Sequence, residues 1–101
     1  MTDLILKGGR VFDPGKGLDV IADVAFSAGK VTEIRPAIAP ERRTSTIDVA
    51  GKIVVPGMID LHTHVYWGGT SLGVEAEPVM RRSGTTTFVD AGSAGPGNFA
   101  G

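Results

Sequence analysis

The chain has no cysteine, which excludes a disulfide framework and any thiolate metal site, so a metal bound here must take histidine and carboxylate ligands. An excess of one charge sign is also lacking. Ten Lys and Arg against eleven Asp and Glu give a formal net charge of −1, so nothing electrostatic draws the chain to nucleic acid or an anionic membrane, and neither is expected as a partner. Long apolar runs are missing too. The opening MTDLILKGGR holds an early acid, a short apolar run and two glycines, which is neither a signal peptide nor a membrane span, and a cytoplasmic location is the expectation. At 101 residues the chain suits a small domain with a modest core and falls short of a complete (β/α)8 barrel, which needs ~200 residues or more. Histidine is scarce as well: there are two, and both stand in the heptapeptide MIDLHTH, Met58 to His64.

Two regimes follow along the chain. Over residues 1–55 short β runs alternate with turn residues: Leu4-Ile5-Leu6, a Gly8-Gly9 turn, Arg10-Val11-Phe12, then the loop Asp13-Pro14-Gly15-Lys16-Gly17. Val20 to Phe26 and Val31 to Ile34 form a predicted hairpin about Ser27-Ala28-Gly29-Lys30, ended by Pro36 and Pro40. Glu41-Arg42-Arg43 reads as a solvated loop and Thr46 to Val49 as another strand. Over residues 56–101 the order changes to strand, glycine-rich loop, helix, strand, loop. MIDLHTHV is the first strand. Glu75 to Gly84 is a helix with Pro78 in its first turn, arginines near its end and Gly84 to close it. Thr85 to Asp90 is the second strand. That order is a βαβ unit with parallel strands, whose functional groups gather at the strands' C-terminal ends.

Strand alternation puts Met58, Asp60, His62 and His64 on one face and Ile59, Leu61, Thr63 and Val65 on the other. The apolar face is expected to lie beneath helices, which turns the polar face toward an interior where two neighbouring imidazoles suit one divalent cation. An H-x-H on a solvated strand needs no metal, so the bare motif leaves both readings open. Its place at a strand's C-terminal end, after Pro56-Gly57 and before Gly68-Gly69, favours the cation.

These residues carry a resemblance. The run from Ile53 to Asn98, IVVPGMIDLHTHVYWGGT…SGTTTFVDAGSAGPGN, resembles the start of the amidohydrolase superfamily, and within it the deacetylase-type metallohydrolases with dihydroorotase-like and adenine-deaminase-like members. LILKGGRVFDPG and ADVAFSAGKVTEI resemble that family's small N-terminal β domain. The fold class expected is mixed β plus α/β, with a small β-sandwich-like domain over 1–55 and the first β-α-β of an incomplete (β/α)8 barrel over 56–101.

The resemblance implies roles residue by residue. His62 and His64 match the paired histidines that bind zinc in a centre of one or two metals, and Asp60 matches the motif's aspartate, in a supporting role behind the ligands. Tyr66, Trp67 and Gly68-Gly69 lie just past the ligands, where Tyr66 and Gly69 are expected to line the substrate pocket or to pack its mouth. Asp90 is read as bonding its own loop backbone. Ser93 is not read as a nucleophile, since no histidine remains to activate it. The activity implied is hydrolysis of an amide, ester or related C–N bond of a small molecule by a metal-activated water, with no catalytic side chain of its own assigned in this chain. The family's bridging lysine has no counterpart, because Lys7, Lys16, Lys30 and Lys52 all precede the first barrel strand. The chain is thus expected to be an N-terminal piece with little activity alone, inclined to self-associate or to join the rest of the barrel. The alternative is a non-catalytic β-rich assembly module with unmetallated histidines.

Overall fold

The computed structural model describes residues 1–98; Phe99 to Gly101, which close the region assigned to 56–101, lie outside the described residues. The fold is mostly β with one α-helix. It divides into two compact units, Met1–Pro56 and Gly57–Gly101.

The first unit is a five-stranded sheet: β1 (Leu4–Asp13), β2 (Leu18–Ser27), β3 (Lys30–Arg35), β4 (Ser45–Asp48) and β5 (Ile53–Val54). β2 lies between β3 and β1, both antiparallel to it, while β4 and β5 pair with β1 in parallel. The predicted hairpin forms about Ala28 and Gly29, and β3 ends at Arg35, just before Pro36. The predicted turn at Gly8-Gly9 does not form. These glycines sit inside one ten-residue strand, where the pairing with β2 slips between Leu6 and Gly9 and Gly8 takes φ 74°. A chain reversal there would fold Leu4–Leu6 onto Arg10–Phe12, whereas one long β2 pairs with both halves, and the glycines absorb the extra residue as a bulge. A side chain at Gly9 would meet Val54 and Val49 at 2.8 and 3.0 Å, so the packing there requires glycine as well.

The core lies on both faces of β2. Ile5 and Ala25 pack with Ile38 on one face, and Val11, Ala22 and Val24 pack on the other with Leu6, Phe26, Ile34 and Val54. Asp23 is buried with the first group because the segment carrying Ile38 crosses over it.

The second unit begins with β6 (Met58–Thr63), continues through α1 (Ala76–Ser83) and returns as β7 (Thr85–Asp90), parallel to β6. The helix ends as its sequence predicts: Gly84 is left-handed at φ 70°, and its N–H closes on the Met80 carbonyl. Arg81 pairs with Glu77 one turn back. The expected helical cover over the apolar strand face is absent among the described residues. Ile59 is 63% and Leu61 72% exposed, and no residue of α1 is buried. One eight-residue helix packed along β7 has too little surface to roof β6 as well. No helix among the described residues is long and apolar enough to cross a membrane.

Candidate metal centre

β6 stops at Thr63, so His62 is the last but one residue of the strand and His64 the first residue of the loop beyond it. The strand pairing is irregular between Asp60 and Thr63, which breaks the strict alternation expected through His64. The two rings nonetheless come together, with centroids 5.6 Å apart and planes at 69°. An imidazole bound through one nitrogen places its ring centre ~3.2 Å from a zinc ion, so two such rings at a tetrahedral angle stand about 5.2 Å apart. The observed centroid spacing is close to that distance. Among the described residues no group of three or more His, Asp or Glu side chains is placed to hold a metal ion together.

Asp60, assigned a supporting role, makes no hydrogen bond to either ring among the described residues; its Oδ1 accepts the backbone N–H of His62 at 3.1 Å. That bond shapes the strand end that carries the histidine. Both Asp60 and His62 are exposed, in contrast to the interior placement expected for that face.

Asp90, at the end of β7, ties two loops together. Its Oδ2 accepts the N–H of Val65 at 3.0 Å and of Tyr66 at 3.2 Å, and its Oδ1 accepts the N–H of Ser93 at 2.7 Å. It bonds its own loop, as read from sequence, and also the loop that follows His64. The Ser93 N–H is the strongest of the influences that hold the Asp90 carboxyl below its ordinary range. The Ser93 hydroxyl and the Val65 and Tyr66 N–H groups act in the same direction, while partial burial opposes them.

Ser93 overturns its own sequence argument. His64 Nδ1 stands 2.7 Å from Ser93 Oγ, so a histidine does reach this hydroxyl. The two residues are 29 apart in sequence, and only the parallel pairing of β6 with β7 brings their loops side by side.

Tyr66 and Gly69 form one packed feature. A side chain at Gly69 would lie 2.2 Å from the Tyr66 ring, so the ring rests on the glycine backbone. The Tyr66 hydroxyl donates to the Asn98 carbonyl. Trp67 is exposed. Asn98 is the residue that sequence reasoning missed. Its amide donates to the carbonyls of Gly69 at 3.1 Å and Ser93 at 3.0 Å, and its side-chain oxygen accepts the Gly95 N–H at 2.7 Å. The available signal was an amide after Gly95-Pro96-Gly97, a turn composition in which asparagine commonly bonds nearby backbone.

No protein-family model matches the chain. A dihydroorotase of Trichlorobacter lovleyi is 48% identical over 63 residues, covering 62% of this chain and 15% of that protein. A deacetylase of Agrobacterium fabrum is 40% identical over 73 residues, 72% of this chain and 18% of that protein. Among solved structures, a crystal structure of a dihydroorotase matches with a TM-score of 0.80 at 28% identity, over 95% of this chain and 25% of that one. The chain therefore spans a quarter or less of the length of these proteins.

Proposed function

From a chain that belongs to the amidohydrolase superfamily, we propose that residues 56–101 are the first strand–helix–strand of a metallohydrolase barrel, preceded by a β domain over 1–55. In this reading His62 and His64 supply two ligands to a divalent cation, zinc by preference, in a centre of one or two metals. The observation that carries the reading is the 5.6 Å spacing of the two imidazoles at the end of β6. A divalent cation at such a pair acidifies bound water and polarises a carbonyl. The chain's own residues hold the ligands and shape the approach: Asp60 fixes the His62 backbone, Asp90 joins the two strand-end loops, and Tyr66 with Gly69 forms one wall of the substrate pocket. The remaining ligands and the proton-transferring base come from residues beyond those described. The reaction is hydrolysis of an amide, ester or related C–N bond of a small molecule, deacetylase-like in class. The 101-residue chain alone binds metal weakly and has little activity, since two ligands leave most of the coordination to water.

The exposure of Ile59 and Leu61 favours a second reading for the isolated chain, in which this face serves assembly and the histidines stay unmetallated. A zinc titration followed by NMR separates the two. The metal reading expects the His62 and His64 ring signals to move together with added zinc, and His62→Ala/His64→Ala to abolish binding. Ring signals that stay fixed under excess zinc, or a double variant that binds as the parent does, would sink it.

A further inference from the structure

His62 and His64 are not held alike. Among the described residues the His62 ring has no hydrogen-bond partner, whereas the His64 ring meets Ser93 Oγ through Nδ1 at 2.7 Å. The backbone around His64 is held as well. Ala91 N–H donates to the Thr63 carbonyl and Val74 N–H to the His64 carbonyl, each at 2.9 Å, and the Val65 N–H donates to Asp90 Oδ2 at 3.0 Å. The same Asp90 carboxylate accepts the Ser93 N–H at 2.7 Å. One side chain thus seats both the peptide that follows His64 and the serine that its ring meets.

A neutral imidazole carries its single proton on one nitrogen or the other, and the hydrogen bond made by one nitrogen decides which. The Ser93 backbone is seated by Asp90, while its hydroxyl hydrogen can rotate and its oxygen carries two acceptor lone pairs. At 2.7 Å one of those lone pairs can meet an Nδ1–H of His64.

We infer that Ser93 is a positioning residue for His64: its oxygen accepts the Nδ1–H, fixes that tautomer and leaves the Nε2 lone pair free for a cation. Asp90 seats the serine through its backbone N–H. The inference rests on the reading of His64 as a metal ligand, yet the tautomer it specifies exists before any metal binds.

The test begins without metal. In the chain carrying 15N-labelled histidine, long-range proton–nitrogen spectra above the ring titration are expected to show His64 mainly as the Nδ1–H tautomer, with His62 as an ordinary mixture. Ser93→Ala keeps the backbone N–H to Asp90. It is expected to return His64 to the mixture and to weaken zinc binding about tenfold or more. Ser93→Thr, which keeps the hydroxyl, is expected to preserve both, and unchanged amide spectra in β6 and β7 would show that the variants fold. A His64 found mainly as the Nε2–H tautomer, or a tautomer and zinc affinity that Ser93→Ala leaves unchanged, would overturn the inference. If the parent binds no zinc but shows the serine-dependent tautomer, the metal reading fails and the Ser93–His64 lock stands. If zinc binds and the tautomer ignores Ser93, the lock fails alone.

Discussion

Asp23 and Asp90 do the same job in different surroundings. Asp23, on β2, accepts the N–H groups of Gly8 at 2.9 Å and Ile38 at 2.9 Å together with Lys7 Nζ at 3.0 Å. Asp90, at the end of β7, accepts three N–H groups from Val65, Tyr66 and Ser93 and has no cation among its hydrogen-bond partners in the described residues. The first is buried between the sheet and a crossing segment, with hydrophobic clusters on both faces of its strand. The second stands in a unit whose only buried residues, among those described, are Gly73 and Thr85. A carboxylate that gathers backbone donors is structural in the first unit, because a core closes around it. In the second unit the same device holds the mouth of a candidate site, and the strands beneath it remain uncovered.

The contrast predicts unequal consequences. Asp23→Ala leaves two N–H groups without an acceptor in a buried place, and is expected to destabilise the first unit by about 3 kcal/mol. Lys7, 39% exposed at its side chain, can turn to water, so a stranded charge does not add to the loss. Amide hydrogen exchange is the measurement, since it resolves the two units separately. Protection should fall across β1 and β2 in Asp23→Ala. In Asp90→Ala it should fall at Val65, Tyr66 and Ser93 while Ile5 and Val24 keep theirs. Loss of protection across β1 and β2 in Asp90→Ala would break the comparison.

Acid sharpens it with a smaller effect. The Ile38 N–H above all, then Lys7, holds the Asp23 carboxyl below its ordinary value against the opposing effect of burial, and the Gly8 N–H adds to the lowering. A depressed folded value means that the unfolded chain takes up the proton first. The stabilisation is therefore present in full above the unfolded value of ~3.9 and is lost as pH falls through the lower folded value. Urea unfolding of the first unit from neutral pH downward should show stability declining below about pH 4, with a flatter decline in Asp23→Asn. An Asp23→Asn profile as steep as the parent's would assign the acid sensitivity to other carboxylates.

Much of this was legible in the chain, and the failures share a cause. The hairpin about Ala28-Gly29, the strand from Thr85 and the helix closed by Gly84 depend on local chemistry: left-handed glycines, β-branched residues and proline position. The Gly8-Gly9 bulge was misread as a turn because only the partner strand's length distinguishes the two, and that information lies ten or more residues away. The histidine pair was visible as a motif, while its partner Ser93 was not, since their meeting requires β6 and β7 to lie side by side. Asp23 looked like one polar residue in an alternating strand. Its burial follows from the path of the segment through Ile38, which no periodicity in β2 encodes.

The mildest change tests a place where local chemistry is strained. The β2–β3 loop has two residues with positive φ, Ala28 at 50° and Gly29 at 75°, the backbone of a type I′ turn, which favours Asn-Gly. Alanine in this region brings its Cβ against the carbonyl oxygen, a cost that asparagine partly offsets through local hydrogen bonding. Ala28→Asn keeps the N–H that donates to Asp3 Oδ2 at 2.8 Å. It is expected to raise the stability of the first unit by about 0.5 kcal/mol. The gain should register as slower exchange at Phe26 and Val31, which pair across the hairpin, with no change at Val65 or Tyr66. A variant that is no more stable than the parent would show that the Asp3 contact already compensates the strain of the turn. A gain that spreads to Val65 and Tyr66 would mean that the two units do not open independently, and the contrast between Asp23 and Asp90 would then need a different cause.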